Sequence, residues 1–223
     1  MRAILLALTL SLAGCASVQG VSDQPPPFQA PAPTAPILTP TYQREVDLPA
    51  GTYRLDPRHA SVTFRIRHMD LSWFTARFDD IDATFELDPS DPSGSQLTAS
   101  VGVQSVNTGV LSRSGERIFD RQIAGVLGAE TTPRISLVTT QILRTGEHTA
   151  LVNADLTMNG QTHGVSLDVT FGGATIDPLR GGAQVLGFSA HGTINRSDWG
   201  VTQWRAFTGD EVQIVIEAEL VKT

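Results

Sequence analysis

The sequence has no second cysteine. Cys15 stands alone among 223 residues, so no intrachain disulfide can form in any compartment and the fold must be held by its core. Positive charge is also scarce. A formal net charge of −7 argues against a nucleic-acid partner, which would call for a basic face, and against docking on anionic headgroups, although mild acidity by itself only keeps a protein soluble. At the start of the chain, Arg2 and the apolar run Ala3–Ala13 fall well short of the roughly 20 residues of a membrane-spanning helix. The run reads instead as an export signal. Beyond residue 45 helical periodicity is nearly absent, and no Gly-x-Ser-x-Gly elbow marks a hydrolase nucleophile.

What is present begins with Leu12-Ala13-Gly14-Cys15, which resembles the bacterial lipobox. Residues 1–14 are then a signal peptide and Cys15 is the site of lipidation. The competing reading is a chance cysteine in an ordinary secretory signal. Several acyl chains on one cysteine anchor stably where one alone is marginal, and a lipidated Cys15 leaves no free thiol for nucleophilic or metal chemistry. Ala16 stands where an aspartate, by resemblance to known lipoproteins, would favour the inner membrane. The expectation is therefore an outer-membrane lipoprotein facing the periplasm. Residues 15–45, with Pro25, Pro26, Pro27, Pro31, Pro33, Pro36 and Pro40, form a Pro-rich linker unable to bury a core. In extended form it could lift the rest of the chain on the order of 80 Å from the lipid.

Residues 46–223 suit one domain. Ser61–His68 sends Val62, Phe64, Ile66 and His68 to one face and Ser61, Thr63, Arg65 and Arg67 to the other, the period of a half-buried strand. Ala83–Leu87, Leu97–Ser105, Ile135–Leu143, Ala150–Met158, Val165–Phe171, Val185–Ile194 and Val212–Leu220 behave alike, separated by turn chemistry such as Asn159-Gly160 and Gly181-Gly182. These strands imply an all-β fold, a sandwich or a closed barrel, which periodicity does not separate. Leu111–Thr132 departs from the pattern. Ile118, Phe119, Ile123, Val126 and Leu127 fall at roughly helical spacing and predict one or two short helices, placed as a flap over an end or side.

Six collinear segments carry a resemblance. Asp56-Pro57-Arg58-His59-Ala60-Ser61-Val62-Thr63-Phe64 with His68, Ala76-Arg77-Phe78-Asp79, Ser105-Val106-Asn107-Thr108-Gly109, Leu156-Thr157-Met158-Asn159-Gly160-Gln161-Thr162, Asn195-Arg196-Ser197-Asp198-Trp199-Gly200 and Gly209-Asp210-Glu211-Val212 resemble the YceI-like, or polyisoprenoid-binding, family. The resemblance implies a lipocalin-like eight-stranded antiparallel β-barrel with an elongated apolar pocket for a polyisoprenoid, isoprenoid quinone or similar lipid. Where family members carry an Arg-Asp pair, Asp120 matches the aspartate, but spacing leaves Arg113 and Arg117 as alternatives for its neighbour.

Candidate ligand-binding residues are Val62, Phe64, Ile66 and His68, Val101 and Val103, Leu167 and Val169, Phe188, Ile214 and Ile216, with Asp120 at a polar rim. Each apolar member is equally compatible with ordinary core packing. His68 either meets a head group or closes a strand end, and His59 fixes the first turn. The five histidines show no close metal-binding pair, so no metal and no cofactor is expected. The reading is a non-enzymatic carrier, store or sensor of a long-chain amphiphile. Its rivals are a protein-interaction scaffold with a filled barrel and, behind it, a hydrolase.

Overall fold

Alternation builds the wall. In β1 (Gly51–His68) the apolar face of Val62, Phe64 and Ile66 stands opposite Ile216, Ile214 and Val212 of β10 (Thr208–Lys222), so two apolar faces coincide across one antiparallel seam. The computed structural model describes residues 48–223. The signal peptide, Cys15 and the linker to residue 45 lie outside the described residues.

Between the seam strands come β2 (Ser72–Phe78), β3 (Ile81–Leu87), β4 (Gln96–Gly102) and β5 (Val106–Asn107). The helix α1 (Ile118–Val126) comes next, then β6 (Arg134–Arg144), β7 (Thr149–Met158), β8 (Gln161–Asp177) and β9 (Ala183–Asn195). These ten segments make eight barrel strands. β1 pairs with β3 along Gly51–Arg54 and with β2 along Val62–His68, so β2 and β3 are halves of one strand broken at Asp79-Asp80. β4 pairs with β3 and β5 with β2, the halves of the next strand. β10 pairs with both β9 and β1, which closes the sheet and removes its free edges. The expected all-β, eight-stranded antiparallel barrel with a short helix is what forms.

Two details differ from the sequence reading. Ser72–Phe78 is a strand that its composition did not announce. Leu97–Ser105 is not one strand, because after Gly102 the chain turns through a single 3₁₀ turn, Val103–Ser105. Gly102 leaves room there for the Asp80 carboxylate, which a Cβ would displace from Arg134, 2.8 Å away.

Strand directions define two ends. The β1–β2 turn, the connection carrying α1, the β7–β8 turn and the β9–β10 connection lie at the upper end. Leu48 and the β3–β4, β6–β7 and β8–β9 connections lie at the lower end. α1 is amphipathic, with Ile123 and Ala124 buried and Asp120 in its first turn, where the positive end of the helix dipole favours an acid. It stops before Gly128, whose φ of 82° is the left-handed conformation that ends helices. Packed clusters thicken both ends. Leu156, Met158, Trp199 and Val201 pack together at the upper end beside α1, with the Trp199 indole N–H donating to the Leu156 carbonyl at 3.0 Å. Tyr53, Ala83, Leu186 and Leu220 pack together at the lower. Among the described residues, the sheet closes on itself through the β1–β10 seam and the packed clusters lie within it.

Candidate functional site: an apolar chamber

Inward-facing apolar side chains of a filled barrel would be fully buried. Val62, Phe64, Ile66, Val169, Phe188, Ile214 and Ile216 face inward and yet are only half-buried, because they border an internal chamber of about 890 Å³. The volume lies within the range of small-molecule sites, roughly 300–1,000 Å³. The chamber runs the length of the barrel. His68, Ser72, Trp73, Trp204 and Thr208 border it at the upper end, and Leu48, Pro89, Glu147 and His148 at the lower. Ala99, Val152, Leu167, Val169, Ala190 and Ile214 are among the side chains that line its middle, so the passage offers little but carbon between two polar margins.

Ten of the expected site residues meet at this chamber: Val62, Phe64, Ile66, His68, Val101, Leu167, Val169, Phe188, Ile214 and Ile216. Two do not. Val103 is fully buried in the 3₁₀ turn, packed with Ile123 and Ala124 of α1; a strand continuing past Gly102 would have turned it inward. Asp120 is buried away from the chamber wall. It accepts the Thr108 N–H at 3.0 Å, the Thr108 hydroxyl, and the Arg117 guanidinium at 2.9 Å. Burial pushes its pKa up, but these donors and the Arg117 charge outweigh burial and hold the carboxyl below its ordinary value. Arg117, not Arg113, is therefore the partner, and the pair fixes the start of α1 instead of forming a rim for ligand.

The sequence reading missed part of the wall. Val212 and Phe171 continue the alternation of Ile214 and Leu167 and were within reach of the same periodicity. Trp204 was not, because it lies in the β9–β10 connection, which has no period. Phe119 of α1 stands between Phe74 of β2, ring centroids 5.6 Å apart, and Trp204, 6.2 Å away, so three elements meet over the upper mouth. The connection bearing Trp204 is held by the buried Arg196. Its guanidinium donates to the carbonyls of Val201 at 3.0 Å, Gln203 at 2.7 Å and Gly209 at 2.9 Å. Burial pulls the Arg196 pKa down and nearby Asp210 opposes it.

Polar clusters outside the chamber have structural work. At the register break of β1 between Leu55 and Ala60, Asp56 accepts from His59, with Nδ1 at 2.5 Å, and from Arg180 of the β8–β9 connection. Burial raises the Asp56 pKa, but these bonds and the Arg58 N–H reverse the shift and hold it well below the carboxylate range. Asp56, His59 and Glu219 offer ligand atoms within 4.8 Å of one another. The Arg180 guanidinium already sits on that group, against Asp56 and 3.2 Å from His59 Nδ1, so a cation is already in place. Among the described residues, no serine hydroxyl is hydrogen-bonded to a histidine; the His59–carboxylate pair has an arginine as its third member.

A closed eight-stranded antiparallel sheet around an apolar chamber defines a chambered β-barrel, the architecture in which eight strands leave room for one small ligand. The chain belongs to the YceI-like domain family, which it matches over residues 53–220. It is 32% identical over 175 residues to a UPF0312 protein of Serratia proteamaculans and 30% identical to protein YceI of Salmonella newport, covering 78% of this chain and 88% of each relative. Among solved structures it resembles BcnA of Burkholderia cenocepacia, with a TM-score of 0.63 at 23% identity over 76% of this chain and 99% of that one. It also resembles a polyisoprenoid binding domain from Saccharophagus degradans, implicated in plant cell wall breakdown, with a TM-score of 0.56 at 14% identity over 78% and 100%. At such identities the two likenesses establish the fold.

Proposed function

We propose that this protein is a non-catalytic carrier that holds the tail of one long-chain amphiphile, a polyisoprenoid, isoprenoid quinone or similar lipid, along the barrel axis. The observation that carries the reading is the end-to-end apolar chamber of about 890 Å³. At roughly 30 Å³ for each water-sized group, it admits a chain on the order of thirty heavy atoms. At about 0.3 kcal/mol per heavy atom, such a tail gains about 9 kcal/mol, enough for sub-micromolar affinity. Membership of the YceI-like family and the fold shared with a domain described as polyisoprenoid binding support the same ligand class. Chain length is then read by chamber depth, and the head group lies at one of the polar margins. The test is organic extraction of the purified protein followed by mass spectrometry of what it releases. A single class of long-chain amphiphile near one per barrel is expected; extracts free of lipid after expression in a lipid-replete host would count against the reading.

We further propose that Cys15 carries the lipid anchor, placing the barrel on the periplasmic side of the outer membrane. The lipobox-like Leu12-Ala13-Gly14-Cys15 supports this. Cys15→Ser should move the protein from the membrane to the soluble fraction with the circular dichroism of the barrel unchanged. An unaltered fractionation pattern would refute the anchor.

A further inference from the structure

Large apolar side chains stand in water around the upper mouth of the chamber. Leu71 is 79% exposed, Phe207 56%, Met69 55% and Trp204 41%. They lie on two segments tied to each other, the Met69 N–H donating to the Phe207 carbonyl at 2.7 Å. Both segments turn through left-handed backbone, with φ of 52° at Met69 and 56° at Asp70, as a tight hairpin connection requires, and 58° at Trp204. Exposed apolar tips grouped in this way mark an interaction surface.

The charge within these two segments is mostly positive. Residues 65–73 and 201–208 contain Arg65, Arg67 and Arg205 and, as their one carboxylate, Asp70, in a chain whose net charge is −7. The Arg65 and Arg67 guanidinium carbons lie 4.8 and 5.2 Å from the Trp73 ring centroid, cations laid on an aromatic at the rim. The lower end, where the described chain begins at Leu48, is mixed, with Asp88, Asp91, Glu147 and Asp177 beside Arg144, Arg180 and Lys222. Whole-chain charge therefore misstates what the mouth presents.

We infer that the upper mouth is a docking face for the surface of a bilayer containing anionic phospholipid. Leu71, Met69 and Phe207 enter the acyl boundary, Trp73 and Trp204 lie at headgroup depth, and Arg65, Arg67 and Arg205 meet phosphates. The purpose of docking rests on the carrier reading: with the mouth seated on lipid, an insoluble tail passes between leaflet and chamber without crossing water. The face itself stands on exposure and charge alone. Leu48, the first described residue, packs at the opposite end.

The test uses the chain from Ala16 onward, which retains the whole self-contained barrel and carries neither acyl group nor export signal. It is floated with phosphatidylethanolamine vesicles containing phosphatidylglycerol and, separately, with phosphatidylcholine vesicles. Flotation with the anionic vesicles is expected, with a blue shift in tryptophan emission. Leu71→Glu/Phe207→Glu alters residues that do not border the chamber and should reduce partitioning roughly tenfold or more at an unchanged thermal midpoint. The same variant should still take up a fluorescent isoprenoid analogue from detergent. Equal flotation of the variant, or equal flotation on neutral vesicles, overturns the inference. So does a dimer in sedimentation without lipid that the double substitution abolishes, which would assign the patch to a second copy. Vesicle binding without analogue uptake by the parent would uphold the docking face and reject the carrier reading.

Discussion

Asp120 occupies the first turn of α1 with its oxygens taken by Thr108 and Arg117. Its identity was legible in the sequence, but its role was not: a motif match says which residue recurs, whereas only the geometry says whether its acceptors face ligand or backbone. Val103 failed for a related reason. Alternation continues through Val101 and Val103, but the Asp80 carboxylate beside Gly102 and the Arg134 that holds it turn the chain by contacts remote in sequence. Removing the Asp120 carboxylate leaves the Thr108 N–H and the Arg117 charge without their acceptor, so Asp120→Ala should cost about 1.5–3 kcal/mol, the scale of hydrogen bonds to a charged group. The sign of its pH dependence comes from the lowered pKa. Stabilisation by Asp120 is complete above the ordinary carboxylate value of about 3.9 and is withdrawn as pH falls through the lower folded value. Chemical denaturation of the parent and Asp120→Ala should therefore differ most near neutrality and converge in acid. A gap that widens in acid would contradict the assignment.

At the level of elements, the strands with clear period 2 were legible, and so was the helical stretch before β6. Less so was the way β2 and β3 serve as one wall strand, because Asp79-Asp80 interrupts the pattern and only pairing with the long β1 joins the halves. β8 and β9 show how closely the wall is fitted. Gly192 faces Leu167, and a Cβ there would come within 2.9 Å of the Ser166 carbonyl oxygen and closer still to the Leu167 side chain. Backbone cannot give way as a side-chain tip can, so Gly192→Ala should destabilise by about 1–3 kcal/mol, the usual scale for overpacking. Gly164, whose Cβ would meet nothing within 4 Å, is the control on the same pair of strands and should lose much less. Denaturant midpoints for the two variants check the contrast; equal losses would place the strain elsewhere.

For the whole molecule, the question is why a barrel with packed clusters near both ends keeps a chamber along its length. Closed sheets of eight strands leave an interior that side chains only just fill, and here Ala83, Ala99, Ala150, Ala190 and Ala218 line the chamber where larger residues would close the space. Periodicity told which side chains face inward, but not whether they touch across the axis, because that depends on the sum of many volumes around a closed ring. The chamber gives a single substitution opposite consequences in the two cases. Phe64→Ala in a solid core should cost about 3–5 kcal/mol, whereas beside an existing cavity the apo protein should lose less than roughly 2 kcal/mol, since part of the ring already faces open space. Ile66→Trp should fill the passage at little cost to the apo state. The decisive measurement is a titration of the apo barrel with a fluorescent isoprenoid analogue, alongside Ile66→Trp. One analogue bound per barrel by the parent, with binding abolished by Ile66→Trp at an unchanged denaturant midpoint, is the predicted result. No binding by the parent, together with core-sized destabilisation of Phe64→Ala, would contradict the chamber and leave the barrel a solid scaffold.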